Sequence, residues 1–339
     1  MPLSEDSVRV AIAGAASPRG QDLKKWMEES GFPAGEVRLL DEEPLAGTLT
    51  DVGGEAAVIQ AVDEDSFRGM RFVFFTGTRA FVKQHGPAAA RAGATVIDMT
   101  GELAGAARPW IPQLDDVLAP PRSKKGLPAG GYIFAAPSGP AIVAGSFCAV
   151  AAEFASRRVA MTFFSPVSER GKEGVEELSE QTVKLLSLQS ISQEVFHAQV
   201  AFNLLDRWGA DSKEKLADAR EEIAREVREY LGGRVAAPAM NLIQAPVFYG
   251  HAFSAFAEFE KPVDIAKMTE RLQAAGFAMA GGDDPGPSNV GVAGEAKAAL
   301  SAAVADGAVA NGYWFWGAAD NTRLPASNAL RIAEKILAA

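Results

Sequence analysis

The chain has 339 residues, of which 48% are hydrophobic and 22% charged, enough for two domains with ordinary globular cores. Its net charge of -10 excludes nucleic acid and an anionic membrane as partners, because both need clustered Lys and Arg. A single cysteine, Cys148, excludes an internal disulfide and a multi-cysteine metal site, and no metal is expected.

Residues 8–13 read as a short apolar strand ended by Gly14. Residues 21–30 have helical spacing, with Leu23, Trp26 and Met27 on one face and Gly31 as the stop. Residues 37–40 give the second strand and residues 56–62 a third. Residues 72–75 are apolar throughout, as a strand covered on both faces should be. Residues 80–92 are mostly helical, with a break expected at Gly86-Pro87. Residues 95–98 are the next strand. Such alternation predicts an α/β fold with a Rossmann-type doubly wound parallel sheet. Residues 122–131, first basic and then rich in Pro and Gly, break this pattern.

Past the break, residues 141–152 form the longest apolar stretch, too short to span a bilayer and suited to a buried helix. Residues 159–164 read as a strand, 175–188 as a helix, and 213–231 as a long charged helix ended by Gly232-Gly233. Residues 246–249 and 253–259 read as strands of a second, mixed sheet, and residues 325–339 as an amphipathic helix. The expected division is a Rossmann-type domain over residues 1–135, rejoined by residues 320–339, and an α+β domain over residues 136–319. Residues 1–6 show no basic region or apolar core of a signal peptide, and a cytoplasmic protein is expected.

Gly14-Ala15-Ala16-Ser17-Pro18-Arg19-Gly20 stands where a dinucleotide fold places its glycine-rich turn. Gly14 and Gly20 suit it, with Ala15 between, but Ser17 replaces the middle glycine and Pro18 removes a donor. Asp41, about twenty residues on, could bind a ribose hydroxyl, and Asp41-Glu42-Glu43 would repel the 2′-phosphate of NADP. NAD is therefore favoured over NADP, with an unliganded turn and an acidic surface loop as the plain alternative.

Several collinear stretches resemble the aspartate-semialdehyde dehydrogenase family: residues 92–98, the segment Val167 to Leu178, Ala201-Phe202-Asn203, Ala245-Pro246-Val247-Phe248-Tyr249-Gly250-His251, and Asp320-Asn321 with Arg323 before the last helix. The resemblance implies reductive dephosphorylation of aspartyl phosphate with NADPH, Asn321 on the cofactor side, and a homodimer formed through the second domain's sheet. It also implies four working parts. The cysteine nucleophile falls at Gly139, in Ala136-Pro137-Ser138-Gly139-Pro140, where no side chain exists. Cys148 lies nine residues further, roughly 13 Å along a helix rising about 1.5 Å per residue. The histidine acid/base is kept as His251, and the substrate-side glutamate as Glu226. The orienting glutamine falls at Ser165 and the carboxylate-gripping arginine at Gln244, which cannot make a charged bidentate pair. Glu229, or Glu222 in another register, stands where a lysine is expected, and Thr100 to Gly105 carries no cation for phosphate.

Three functions follow from this pattern: a non-catalytic paralogue kept for binding or assembly, with an active dehydrogenase as one candidate partner; an NAD(P)-dependent oxidoreductase acting on another carbonyl, with His251 as proton donor; or a dinucleotide sensor.

Overall fold

The computed structural model describes residues 7–103, 105, 108–118, 131–281 and 286–339, so the break expected at 122–131 lies outside them up to residue 130. The chain divides into two compact units. Unit 1 comprises Met1–Asp115, Ala119–Ser138 and Pro325–Ala339, and unit 2 comprises Asp116–Leu118 and Gly139–Leu324.

In chain order, unit 1 contains β1 (Val8–Ala13), α1 (Pro18–Glu29), β2 (Ala34–Asp41), β3 (Leu49–Val52), β4 (Glu55–Val58), β5 (Gln60–Ala61), β6 (Phe72–Phe75), α2 (Arg79–Arg91), β7 (Thr95–Asp98), β8 (Arg108–Pro109) and β9 (Ile133–Ala135). Seven strands form one parallel sheet in the order β5-β2-β1-β6-β7-β9-β8. Alternate side chains serve opposite faces. Val10, Ile12, Phe72, Phe74 and Ile97 pack with Leu23 and Met27 of α1 and with Leu330, Ile332 and Ile336 near the chain end. Ala11, Val73, Phe75 and Val96 pack with Phe81, Val82 and Ala89 of α2. With both faces covered, the central strands need no polar alternation, and each large side chain buried contributes about 1.5–3 kcal/mol.

Two expectations change here. The third strand expected at 56–62 splits, because β4 pairs with β3 as a separate hairpin and only β5 joins the main sheet beside β2. Lys24 of α1 holds that hairpin by donating to Thr50 Oγ1 at 2.9 Å and pairing with Asp51. The helix break expected at Gly86-Pro87 does not occur, and α2 runs through Pro87. Burial of Phe81, Val82, Gly86 and Ala89 holds the helix across the one donor that proline lacks.

Unit 2 contains α3 (Gly139–Glu153), β10 (Ser156–Ser165), α4 (Gly171–Leu186), α5 (Leu216–Leu231), β11 (Ala239–Gln244), β12 (His251–Phe259), α6 (Ile265–Ala274), β13 (Phe277–Met279), β14 (Ala298–Leu300), β15 (Val304–Ala305) and β16 (Gly312–Ala319); α7 (Arg323–Leu337) then closes the chain. Its mixed sheet has the order β11-β10-β12-β16-β14-β13, with β15 on β16. One face carries Met161, Phe163, Phe253, Ala255, Phe259 and Phe315, all buried, and Phe147 of α3 meets Phe315 edge-on. The other face carries Phe164, Phe256, Trp314 and Trp316, with both tryptophans exposed. Phe253 is thus core. Residues 246–249 are not a strand. β11 ends at Gln244, and the carbonyls of Val247 and Phe248 instead accept the N–H groups of Val167 and Ser168 at 2.9 and 3.1 Å. Among the described residues no helix is long and apolar enough to cross a membrane.

Candidate functional site

Gly139 opens α3, and the helix is buried from there to Ala151, including Pro140 in its first turn, where a missing N–H costs nothing. No nucleophilic atom exists at residue 139. Cys148 is wholly buried in the same helix, and burial pushes its thiol up to about 12, which leaves negligible thiolate near neutrality.

The positions matched to the orienting amide and the carboxylate clamp are joined to each other. Ser165 ends β10, and its carbonyl accepts the backbone N–H of Ala245 and the side-chain amide of Gln244, each at 2.9 Å. Gln244 is fully buried, and its side-chain oxygen accepts the Trp208 indole N–H at 3.2 Å. The Arg170 guanidinium lies over the Trp208 ring, 5.1 Å from its centroid, and is ion-paired with Glu214. The amide at 244 is therefore a strut between two segments, with its donor and acceptor engaged inside unit 2.

His251 begins β12 and is 2% exposed. Neither ring nitrogen makes a hydrogen bond, and Nε2 lies 3.4 Å from Glu169 Oε1. Asn321 holds this carboxylate, donating to Glu169 Oε1 at 2.9 Å and to Ser168 Oγ at 3.1 Å, while its own oxygen accepts the Gly250 N–H at 2.9 Å. The structure thus brings His251 and Asn321 together within unit 2, around a carboxylate that sequence reasoning did not place in the site. That acid, Glu169, lies in the segment Val167 to Leu178 that carries part of the resemblance. An imidazole beside a carboxylate is a candidate acid or base, and the pair supplies no thiol.

Glu226 sits half-buried on α5. Both residues considered for the lysine position pair with one cation, since Arg225 lies 3.0 Å from Glu229 and 3.7 Å from Glu222. His197 adopts φ 47° in the segment between α4 and α5.

In unit 1 the β1–α1 turn is satisfied from within. Gly14 has φ +95°, and a Cβ there would fall 2.1 Å from the backbone nitrogen of Gly77; one on Gly20 would fall 2.4 Å from the Gly14 carbonyl. Close packing therefore accounts for both glycines. Ser17 caps α1: its hydroxyl accepts the Gly20 N–H at 3.0 Å and lies 2.7 Å from the Gly14 carbonyl and 2.9 Å from that of Thr76. Gly14 and Ala15 both donate to Leu40 O, and Ser17 donates to Gly14 O. Asp41 is 4% exposed and turns inward, its two oxygens accepting the N–H groups of Ala16 at 2.8 Å and Glu42 at 2.9 Å. A pyrophosphate needs unengaged donors at a helix N-terminus, and the N–H groups of Gly14, Ala15, Ala16, Ser17 and Gly20 in this turn already have partners, which fits that group poorly. The loop after β7 likewise closes on Asp98, which accepts from the Thr100 N–H and hydroxyl and from the Leu103 N–H. Among the described residues, Arg19 of α1 reaches the start of this loop, donating to Met99 O at 3.3 Å.

Two family models match the chain: the NAD binding domain of semialdehyde dehydrogenase over residues 9–109, and its dimerisation domain over residues 149–324. The USG-1 protein homolog of Pseudomonas aeruginosa is 31% identical over 271 residues, covering 79% of this chain and 78% of its own. Aspartate-semialdehyde dehydrogenase 2 of Vibrio cholerae is 27% identical over 339 residues, with 97% of each chain covered. Among solved structures, a probable aspartate-semialdehyde dehydrogenase from Pseudomonas aeruginosa superposes with a TM-score of 0.84 at 29% identity, covering 97% of this chain and 98% of its own. With both domains matched in order along the sequence, this chain belongs to the semialdehyde dehydrogenase family.

Proposed function

We propose that this chain is a non-catalytic member of the family, a dehydrogenase scaffold kept for assembly or binding, which does not carry out reductive dephosphorylation of aspartyl phosphate. One observation carries the reading: the nucleophile position is Gly139, in a helix whose sole thiol, Cys148, is buried and held at about 12. The neighbouring losses support it. Gln244 and Ser165 are engaged with each other, and α5 presents Glu229 where a cation is needed. His251, Gly139 and Glu226 are then vestiges of the catalytic site, and Gly14, Ala15, Ser17, Gly20, Asp41 and Asn321 vestiges of the cofactor side. Of the two dinucleotides, NAD is the less disfavoured, because Asp41, Glu42 and Glu43 oppose a 2′-phosphate.

The assembly is a homodimer formed through the outer sheet face of unit 2, whose Trp314 and Trp316 are large, aromatic and exposed, or a hetero-oligomer of the same geometry with an active dehydrogenase, in the cytoplasm. The test is phosphate-dependent reduction of NAD or NADP in the presence of aspartate semialdehyde. No turnover is expected, and sustained turnover overturns the reading. A second reading, an oxidoreductase of another carbonyl, draws on His251 as proton donor, with Glu169 Oε1 3.4 Å from its Nε2. Turnover in a screen of small aldehydes and ketones would favour it.

A further inference from the structure

We infer that Asp41 and Glu42 are a built-in anion that closes the dinucleotide crevice of unit 1, so that this chain takes no pyrophosphate there. The inference rests on the non-catalytic reading and extends it from the substrate side to the nucleotide side.

The sheet order locates the crevice. β2 lies on one side of β1 and β6 on the other, so the winding reverses at β1 and β6, and ligands of such sheets bind at the carboxyl ends of those strands. Two helix starts face that point, α1 after Ser17 and α2 after Thr78. Each offers partial positive charge and N–H groups that a diphosphate would neutralise.

Here the end of β2 supplies the negative charge instead. The Asp41 carboxylate takes the Ala16 N–H at 2.8 Å, in the turn leading into α1. Glu42 follows it to the other helix: Thr78 caps α2 by accepting the Phe81 N–H at 3.2 Å, and its hydroxyl donates to Glu42 Oε1 at 3.1 Å. Further donors of the turn are engaged or absent as well. Gly14 and Ala15 bond to Leu40, Ser17 bonds to Gly14, the Gly20 N–H is capped by Ser17, and Pro18 has no donor. A pyrophosphate would have to break the charge-assisted bond from Ala16 and leave the buried Asp41 short of a partner. It would then add two negative charges beside Asp41 and Glu42.

The ribose role foreseen for Asp41 gives way to this one, since both of its oxygens already hold backbone donors and the side chain is almost wholly buried. Gly14 and Gly20 need no ligand to explain them, because packing forbids a side chain at either.

The test is titration of the full chain with NADH, NADPH and inorganic pyrophosphate at millimolar concentration, by calorimetry and nicotinamide fluorescence. It compares the unaltered chain with Asp41→Asn/Glu42→Gln and with a second variant that adds Ser17→Gly and Pro18→Ala. The unaltered chain is expected to show no saturable binding, and the four-substitution variant at least a tenfold gain in affinity for NADH, or about 1.4 kcal/mol. Saturable binding of NADH to the unaltered chain overturns the inference, as does a folded four-substitution variant that still binds nothing. If the variants fail to fold, amide exchange decides. The Ala16 N–H of the unaltered chain should be strongly protected without ligand, and rapid exchange there overturns the inference. Binding without turnover would sink this inference and leave the non-catalytic reading standing, whereas turnover would sink that reading.

Discussion

Gln244 and Asp41 were both expected to face a ligand or its absence, and both face the protein. Gln244 links Ser165 to Trp208, and Asp41 links the β1–α1 turn to the start of the loop after β2. Buried polar groups are usually hydrogen-bonded, and the side chains of both residues have protein partners. His85 shows the same principle through charge. Burial against Phe81, whose ring centroid lies 4.7 Å away, holds its imidazole below the ordinary value of about 6.5, although Glu42 pulls the other way. The folded state then binds this proton less readily than the unfolded chain. His85 therefore costs no stability above about pH 6.5, and stability falls as pH drops from there toward the lower folded value. The melting temperature should decline on acidification through that window, and His85→Phe should flatten part of the decline, read as the difference between the two pH profiles. At this scale, the proposed losses at Gly139, Ser165 and Gln244 rest on the resemblance in the sequence. The partner of the Gln244 side chain was not legible there, because Trp208 lies 36 residues away.

Among the elements, α4 does the most to organise unit 2 by way of two buried polar side chains. Glu177 accepts the backbone N–H groups of Glu194 at 2.9 Å and Val195 at 2.5 Å. One turn on, Gln181 accepts those of Val200 and Ala201 and donates to the carbonyls of Ser192 and Ala198. Together they pin a segment without regular structure, in which His197 and Phe202 hold left-handed backbone conformations. Left-handed conformations of non-glycine residues are costly, and the pinning offsets that cost. Glu177→Ala should destabilise the fold by about 3 kcal/mol, measured by denaturant unfolding, and should open residues 190–203 to limited proteolysis. An unchanged digestion pattern would show that the segment is held by other means. β1, β2, β6 and β7 of the parallel sheet were readable from their apolar residues, whereas the two-residue β5 and β8 were not. The extent of α2 and β11 was not, because tertiary burial carried a helix through Pro87, and edge pairing with β10 ended a strand before Pro246.

For the whole molecule, two matched domains and a sheet with one aromatic outer face point to self-association through unit 2. Trp314 packs with Phe256 and Trp316 with Phe164, so paired aromatic rings tile the β10, β12 and β16 strands. Replacing both tryptophans with aspartate should shift the chain to monomer in sedimentation velocity while leaving the inner core of Phe163, Phe253 and Phe315 folded. A dimer that survives places the contact elsewhere. The fold class was legible in the order of elements and the family in collinear motifs, whereas the exposed aromatic face needed the strand register to separate it from the core. The central claim concerns chemistry, namely that the scaffold persists without its nucleophile. It is tested most directly by incubating the purified chain with aspartate semialdehyde, inorganic phosphate and NAD or NADP, and following nicotinamide reduction beside a His251→Ala control. The account predicts the same background rate for both proteins. Sustained reduction by the unaltered chain, lost in His251→Ala, would contradict it.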